Sequence, residues 1–205
     1  MISKIKVCIL DYGSGNQYSV SNFLNLIGVS NKISREKKDI IEATHLILPG
    51  VGSYSSTVDK IIQSNLSDIL KDQLFNKKKL FLGICVGMQV LTEFGYEFKK
   101  THGLKYLTGN TVNLKSSPFR LPHIGWNNLQ IKKKIEIFKN IDEIDNFYFV
   151  NSFKCEIKDE NVLSTTTYNE EFTSILNKEN IYGFQFHPEK SQNSGIKIMK
   201  NFLNL

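Results

Sequence analysis

Long apolar runs are absent from this 205-residue sequence, and cysteine is scarce. No stretch approaches the ~20 apolar residues that a membrane-spanning helix requires. The segment Met1–Leu10 carries two lysines but no long apolar region and no small-residue cleavage site, so it does not resemble a signal peptide. Three cysteines form an odd and small set, which argues against a disulfide scaffold and favours a cytoplasmic protein.

The composition favours one compact domain over residues 1–205, because hydrophobic residues make up 40% of the chain and occur from end to end. The 26 Lys and Arg exceed the 20 Asp and Glu, and the net charge of +6 is scattered in short runs such as Lys77–Lys79 and Lys132–Lys134. Such runs favour a solvated surface. A nucleic-acid patch is the alternative, and no recognition motif supports it.

The first half alternates between strand and helix patterns. Apolar, β-branched runs predict strands at Ile5–Leu10, Thr44–Leu48 and Leu80–Ile84. Helical spacing of apolar residues predicts helices over Gln17–Ile27 and Ser56–Leu74. This alternation predicts a parallel sheet with helices on both faces.

Strand patterns dominate the second half, from about residue 103 to 181, for example at Phe147–Val150 and Val162–Tyr168. Polar, lysine-rich connections separate these strands, and no linker interrupts them, so we assign them to the same domain. A final helix is predicted over Ser194–Leu203. The fold class is therefore α/β, with a central, mostly parallel sheet flanked by helices and a strand-rich second half.

The segment Gly83–Gly87 has the form of a nucleophile elbow with Cys85 at its centre. A sharp turn from strand to helix places the nucleophile in a strained, exposed position, and flanking glycines prevent collisions. A helix from Gly87 to Glu93 would direct N–H groups at the sulfur and favour the thiolate. The alternative is a buried structural cysteine beside helix-packing glycines.

His187 is the candidate base for this thiol. It follows a predicted strand and precedes Pro188 and Glu189, so a rigid corner projects the imidazole and the carboxylate together. Glu189 can then orient the ring and stabilise its charged form. A structural histidine is the alternative.

The other histidines and cysteines are interpreted as structural. His45, His102 and His123 lie outside any catalytic pattern, and Cys8 and Cys155 lie within strand-like segments as core-filling residues. No pair of cysteines or histidines has zinc-ligand spacing, so no metal is expected.

The turn Pro49–Gly52 follows the second predicted strand. Acyl transfer passes through an oxyanion that needs N–H donors placed in advance. The residue after the nucleophile, Val86, supplies one donor, and a glycine-rich turn can supply the other because its backbone approaches closely. An ordinary strand-ending turn is the alternative.

Together these segments resemble the class I (triad) glutamine amidotransferases, and within them the glutaminase subunits of imidazole glycerol phosphate synthase, an enzyme of histidine biosynthesis. The similarity covers six segments in order along the chain: Asp11–Asn16, Leu48–Ser53, Gly83–Gln89, Pro122–Asn127, Tyr148–Ser152 and Gln185–Ser191.

The resemblance implies a glutaminase with Cys85 as nucleophile, His187 as base and Glu189 as its orienting acid. It implies an oxyanion hole from the backbone of Val86 with Gly50 or Val51. The residues implied in substrate binding are Gly52, Gln89, Glu97, Ser152 and Phe153. No cofactor is implied.

The implied partner is a (β/α)₈-barrel cyclase or synthase subunit, bound as a heterodimer, which receives the ammonia through its interior. The surface facing it maps to Asn16, Trp126, Tyr148 and Lys190. The residues themselves add a reason for Trp126: it is the only tryptophan and follows a glycine in a predicted loop, where an exposed aromatic often anchors an interface. A core tryptophan is the alternative.

The sequence departs from the family pattern at three places. Asn151 stands where histidine is usual, Val86 stands where leucine is usual, and Thr108–Asn110 replaces an Ile-Pro-Gly-Arg segment. Three alternatives stay open: an ammonia supplier for sugar amidation in surface-polysaccharide synthesis, a catalytically silent binding subunit, and a thiol peptidase.

Overall fold

The computed structural model describes residues 5–205. The first four residues of Met1–Leu10, which is predicted not to be a signal peptide, lie outside this range. Over the described residues, no helix is both long enough and apolar enough to cross a bilayer.

A mixed sheet of eight strands forms the centre of the fold. The strands of the protein, in chain order, are β1 (Lys6–Leu10), β2 (Ser30–Ser34), β3 (His45–Leu48), β4 (Leu80–Ile84), β5 (Phe94–Gly95), β6 (Thr101–His102), β7 (Gly109–Asn113), β8 (His123–Asn128), β9 (Gln130–Ile131), β10 (Asn146–Asn151), β11 (Phe153–Ile157), β12 (Val162–Tyr168), β13 (Glu170–Lys178) and β14 (Ile181–Phe184).

The strand order in the central sheet is β2-β1-β3-β4-β14-β13-β12-β9. The first five strands in this order are parallel to one another, and the last three are antiparallel additions from the second half of the chain. The prediction of a mostly parallel central sheet is confirmed. Strand β14 returns from the antiparallel half to lie beside β4, so the C-terminal ends of these two strands are neighbours.

Helices cover both faces of the parallel part of this sheet. They are α1 (Gln17–Leu26), α2 (Lys37–Glu42), α3 (Tyr54–Gln63), α4 (Leu66–Lys71), α5 (Val86–Gln89) and α6 (Gln192–Leu203). Successive side chains of β1 point to opposite faces. Val7 and Ile9 pack with the apolar residues of α1 and α6, whereas Cys8 and Leu10 pack with those of α2, α3 and α4. The strand is therefore buried on both sides, which explains its unbroken apolar sequence.

Two smaller sheets complete the second half of the chain. Strands β8 and β10 form an antiparallel pair, and β11, β7, β5 and β6 form a four-stranded sheet in that order. The pair β8–β10 approaches the end of β14 through an antiparallel bridge between Tyr148 and His187.

Several predicted elements need correction. The helix predicted over Ser56–Leu74 is interrupted at Asn65, whose left-handed backbone (φ 57°) separates α3 from α4, and a π-helical turn follows at Asp72–Asn76. The helix predicted from Gly87 to Glu93 is shorter and begins one residue earlier, as α5. Strand β2 and helix α2 were not predicted. Trp126 lies on strand β8 and not in a loop.

Candidate active site

Cys85 occupies the turn between β4 and α5, with φ 52° and ψ −114°. This is an unfavourable conformation for a residue with a side chain, and such strain is typical of functional sites. The N–H of Cys85 donates to the carbonyl of Phe184 at 2.7 Å, which ties the turn to β14. The residue is only 8% exposed, so the predicted exposed position is wrong: the sulfur lies at the bottom of a pocket.

Three glycines allow the backbone segments around this turn to touch. A Cβ atom on Gly83 would lie 2.4 Å from the carbonyl oxygen of Gly87, and one on Gly87 would lie 2.2 Å from the carbonyl oxygen of Leu48. A Cβ atom on Gly50 would lie 2.4 Å from the nitrogen of Gly87. The turn that follows β3 therefore packs directly on the backbone that presents Cys85.

His187 lies beside Cys85 in the same pocket, because β14 ends next to β4. Its Nδ1 atom is 2.7 Å from Oε1 of Glu189, and both side chains are almost fully buried. Since Nδ1 is held by the carboxylate, Nε2 is the ring nitrogen left for the thiol. The structure thus brings the three predicted catalytic residues together.

The imidazole of His187 is strongly biased toward its charged form. Burial lowers its pKa, but hydrogen bonding and charge interactions with Cys85 and Glu189 outweigh that effect and raise the pKa to about 10. By contrast, burial alone lowers the pKa of His45 and His123 to about 4. The pKa values therefore single out His187 among these three histidines, as expected for a group coupled to a catalytic thiol.

The backbone of His187 is held by strand β10. Its N–H donates to the carbonyl of Tyr148 at 2.9 Å, and its own carbonyl accepts a bond from the Ser191 hydroxyl at 2.6 Å. The same hydroxyl accepts a bond from the N–H of Tyr148 at 2.9 Å. This closed set of bonds fixes the imidazole relative to β10.

Asn16 contacts the catalytic group directly. Its Nδ2 atom donates to Oε1 of Glu189 at 2.5 Å, so one carboxylate oxygen serves both the imidazole and this amide. The family resemblance places Asn16 only on the partner-facing surface, and nothing in the sequence predicts this contact. Its position just before α1 offered no local signal, because Glu189 is distant in sequence.

A pocket of ≈ 260 Å³ opens above the sulfur. This is smaller than typical sites for drug-sized ligands and suits a single amino acid. Nine of the predicted site residues line it: Val51, Gly52, Cys85, Val86, Gln89, Glu97, Ser152, Phe153 and His187. Gly50 and Glu189 lie behind its wall, against the elbow and the imidazole respectively.

Val86 and Val51, both predicted to contribute to the oxyanion hole, line the pocket together with Cys85. Val86 is the first residue of α5, and its N–H has no acceptor within the helix. Val51 is 42% exposed. The next residue, Gly52, has φ 111° with open space around it, so the turn has room to change its backbone conformation.

Polar groups converge at the outer part of the pocket. The carboxylate of Glu97 accepts a bond from the N–H of Tyr54 at 2.6 Å and is suited to an ammonium group. The side-chain amides of Gln89 and Asn151 both donate to the carbonyl of Phe153, at 3.3 and 3.0 Å. Oδ1 of Asn151 is buried and has no partner among the described residues.

Gln185 is a site residue that the sequence analysis missed. Its Nε2 atom lies 3.8 Å from the sulfur of Cys85, and it is completely buried. The available signal was its position two residues before His187, because alternate residues of an extended segment point to the same side.

Three of the predicted partner-facing residues form one cluster. Trp126 is 56% exposed and stacks edge-on against Tyr148, with ring centroids 4.9 Å apart. The Nζ atom of Lys190 lies 5.6 Å from the centre of the Tyr148 ring. The interpretation of Trp126 as a core residue is therefore wrong.

Three larger cavities lie elsewhere, of ≈ 490 Å³ beside Lys154, ≈ 860 Å³ beside Phe138 and ≈ 410 Å³ beside Trp126. None of them is lined by a histidine, so none combines a nucleophile with a histidine base. Within residues 5–205, no group of three or more His, Cys, Asp or Glu side chains is placed to hold a metal ion.

Comparison with known proteins agrees with this geometry. The family model for "Glutamine amidotransferase class-I" matches residues 8–205. The chain is 40% identical over 200 residues to the imidazole glycerol phosphate synthase subunit HisH 1 of Campylobacter jejuni, covering 97% of this chain and 100% of that protein. It is 43% identical over 200 residues to subunit HisH 2 of Methanococcus maripaludis, covering 96% and 98%.

Solved structures show the same fold at low identity. A crystal structure described as a glutamine amidotransferase superposes with a TM-score of 0.76 at 16% identity, covering 97% of each chain. The PurLQS structure from Thermotoga maritima superposes with a TM-score of 0.76 at 20% identity, covering 98% of each chain.

Proposed function

This chain belongs to the class-I glutamine amidotransferase family, and from that premise we propose that it is the glutaminase subunit of an imidazole glycerol phosphate synthase in histidine biosynthesis. It hydrolyses L-glutamine to glutamate and ammonia, and the ammonia passes to a (β/α)₈-barrel cyclase or synthase subunit. The relatives named above, about 40% identical over nearly their whole length, support this assignment. We place the activity in the cytoplasm.

The proposed chemistry rests on one observation: Cys85 and His187 line the same pocket, and Glu189 is hydrogen-bonded to the imidazole of His187. In the proposed mechanism, the sulfur attacks the side-chain amide carbon of glutamine, and the carbonyl oxygen becomes an oxyanion. The N–H of Val86 and a donor from the Gly50–Val51 turn stabilise that charge. His187 gives a proton to the departing nitrogen as the carbon–nitrogen bond breaks, which releases ammonia and leaves a glutamyl thioester.

Hydrolysis of the thioester regenerates the enzyme. His187, now neutral, takes a proton from water, and the resulting hydroxide attacks the thioester carbonyl and expels the thiolate. Glu189 keeps the imidazole in one orientation through both steps and stabilises its charge. The proton taken from water remains on His187, so the thiolate–imidazolium pair is restored.

Substrate selection rests on the outer part of the pocket. Glu97 is suited to hold the α-ammonium group of glutamine. Gln89 uses its amide N–H groups within the protein, so its oxygen is the polar atom left to accept from substrate. The backbone at Ser152 and Phe153 borders the remaining space.

The partner face is proposed to consist of Trp126, Tyr148 and Lys190, with Asn16 near it. Ammonia released to solvent is protonated and lost to the synthase reaction, so delivery through the partner's interior is advantageous. We expect turnover by the chain alone to be low, because partner binding is expected to align the oxyanion donor of the Gly50–Val51 turn, as a closing loop does in other enzymes.

A glutaminase assay with and without the barrel subunit tests this proposal. Glutamate release should rise when the partner is added, and Cys85→Ala should lower it by at least about 10³-fold. Cys8→Ala is the matched control, because Cys8 is a buried cysteine of β1 outside the pocket. Equal turnover in the Cys85→Ala variant and the native protein would eliminate the proposal.

The acceptor of the ammonia is tested separately. With the barrel subunit present, glutamine should support formation of imidazole glycerol phosphate. If free ammonium supports product formation and glutamine does not, the pairing with this synthase is wrong, whatever the glutaminase activity.

A further inference from the structure

Gln185 is held rigidly next to the catalytic sulfur. It follows β14 directly, its backbone N–H donates to the carbonyl of Ser174 at 2.9 Å, and its side chain is inaccessible to solvent. Its Nε2 atom is 3.8 Å from the sulfur of Cys85. No role for this residue was predicted from the sequence.

The orientation of the Gln185 amide is fixed by its neighbours. The Nε2 atom of Gln89 contacts two oxygens, Oε1 of Gln185 at 3.0 Å and the carbonyl of Phe153 at 3.3 Å. A backbone carbonyl only accepts hydrogen bonds, so the nitrogen of Gln89 must face it. Gln89 therefore donates to the oxygen of Gln185, and the nitrogen of Gln185 must point to Cys85.

The sulfur has a second polar neighbour, which is a hydrogen-bond acceptor and not a donor. The thiol of Cys85 lies 3.8 Å from the carbonyl oxygen of Val150, which accepts a bond only from the protonated S–H group. The amide N–H of Gln185 is a donor and interacts best with the thiolate. The two contacts favour opposite protonation states of the same sulfur.

We propose that Gln185 is a further catalytic residue, whose amide N–H stabilises the thiolate of Cys85 and directs it away from Val150 into the pocket. Gln89 acts as a positioning residue that keeps the nitrogen of Gln185, and not its oxygen, turned to the sulfur. The inference rests on the proposed function in taking Cys85 as the nucleophile.

The titratable groups that face the sulfur are His187, Tyr12, Cys155 and, across the pocket, Glu97. Burial raises the pKa of Cys155 to about 12, and burial also raises the pKa of Tyr12, so both stay neutral over the pH range in which a thiol is normally assayed. His187 and Glu97 are unchanged in the variants below. A difference between native and variant profiles therefore reports the lost amide.

Alkylation of Cys85 by iodoacetamide measures its thiolate fraction, because only the thiolate reacts. The rate is followed against pH for the full-length chain, and the modified residue is identified by mass spectrometry. Gln185→Met keeps the side-chain length and removes the donor. We expect its alkylation profile to move to higher pH by about one unit, with an about tenfold slower reaction at neutral pH.

Gln73→Met is the matched control, since Gln73 is also a buried glutamine and bonds to Asp72, outside the pocket. Its alkylation profile should coincide with that of the native protein. Thermal unfolding of each variant shows whether the fold is retained.

Gln89→Met supplies an independent variant if Gln185→Met does not fold. Without the bond from Gln89, the amide of Gln185 is free to rotate, so the profile should move in the same direction by a smaller amount. A folded Gln185→Met protein with the native profile would overturn the inference, and so would a native profile in Gln89→Met if that is the variant available.

The alkylation assay uses no glutamine, so it separates this inference from the proposed function. A shifted profile in a protein without glutaminase activity would support the role of Gln185 and contradict the function. An unshifted profile in an active glutaminase would contradict the role of Gln185 and support the proposed function.

Discussion

The Nδ1 atom of His187 and the Oε1 atom of Glu189 are 2.7 Å apart, with side chains only 3% and 1% exposed. A buried imidazole would ordinarily be neutral, so this carboxylate is one of the two groups that hold it in the charged form. The contribution of the pair to stability is fully present below the unfolded pKa of about 6.5. It is lost as pH rises through the folded pKa, which is about 10.

Glu189→Gln should lower the pKa of His187, because the charge of the carboxylate is removed while burial remains. An NMR pH titration of histidine-labelled protein measures this directly, because burial lowers the pKa of His45 and His123 to about 4 and a His102→Gln variant identifies the remaining signal. Glu97→Gln is the control, as it removes another carboxylate of the pocket that does not contact the ring. An unchanged His187 titration in Glu189→Gln would contradict the proposed triad.

Asn16→Ala should lower kcat for glutamine hydrolysis about tenfold and leave KM unchanged. Asn16 donates to Glu189 but does not line the pocket, so its loss weakens a hydrogen bond to a charged catalytic group without removing a substrate contact. Steady-state kinetics of the complex with the barrel subunit provide the measurement. Asn127→Ala is the control, because that amide donates to Thr167. A raised KM with native kcat would argue against a role through Glu189.

Gly87→Ala should destabilise the protein by more than about 2 kcal/mol, because the added methyl group would lie 2.2 Å from a backbone oxygen that cannot move freely. Gly28→Ala is the control: its φ of 76° strains an alanine by about 1 kcal/mol, but nothing lies within 4 Å. Urea unfolding of both variants compares their free energies. Equal losses of unfolding free energy in the two variants would show that the close approach at the elbow does not destabilise the Gly87→Ala protein.

Asp145→Asn should destabilise the protein by about 1 kcal/mol at neutral pH. Burial raises the pKa of Asp145, but bonds from Ser194 and Lys197 outweigh it and the pKa is lowered. The carboxylate therefore contributes stability above its unfolded pKa of about 3.9, and that stability is lost as pH falls through the lower folded pKa. The energy is modest because Lys197 remains 39% exposed.

The acid-unfolding profile of Asp145→Asn should accordingly be flatter below about pH 4 than that of the native protein. Asp59→Asn, at an exposed position of α3, serves as the control and should keep the native profile. A native profile in both variants would show that the bonds of Asp145 are not coupled to folding.

Trp126→Ala should weaken binding of the barrel subunit at least about tenfold, because large aromatics near the centre of an interface carry much of the binding energy. The free chain should keep its stability, since the side chain is 56% exposed. Isothermal titration calorimetry measures the affinity. Leu26→Ala, at a 76% exposed position in α1, is the control. Native affinity in Trp126→Ala would remove this surface from the proposed interface.

The sequence was most informative where the chemistry is local. The elbow around Cys85 and the corner carrying His187 and Glu189 are each encoded within a few residues, and each adopts the expected turn. Their convergence follows from the pairing of β14 with β4, which no local pattern contains. It is predicted from the need of a thiol nucleophile for a base and from the resemblance to the triad amidotransferases.

The elements missed by the sequence analysis have weak or contrary patterns. Strand β2 (Ser-Asn-Lys-Ile-Ser) lies at the edge of the sheet and contains one large apolar residue, so it lacks the signal of a buried strand. Asn65 interrupts a helical pattern by adopting a left-handed conformation. Asparagine tolerates this conformation, but its presence in a sequence does not by itself predict it. Both outcomes depend on tertiary packing.

Contacts between distant polar side chains were the least predictable. The bonds from Asn16 to Glu189 and from Gln89 to Gln185 join residues 173 and 96 positions apart. An amide side chain in a sequence gives no indication of which partner it will find, because the energy of such a bond depends on burial and geometry that only the fold defines.

Strand β10 carries an aromatic ring toward the outside and two backbone carbonyls toward the catalytic machinery. The carbonyl of Tyr148 accepts a hydrogen bond from the backbone N–H of His187, and the carbonyl of Val150 lies 3.8 Å from the sulfur of Cys85. The two carbonyls are two residues, or ~7 Å, apart along the strand. A displacement of this strand by a few tenths of an ångström, applied through the ring, would reach nucleophile and base in a single movement. The ring proposed to face the partner and the two carbonyls that contact base and thiol thus belong to three consecutive residues of one strand.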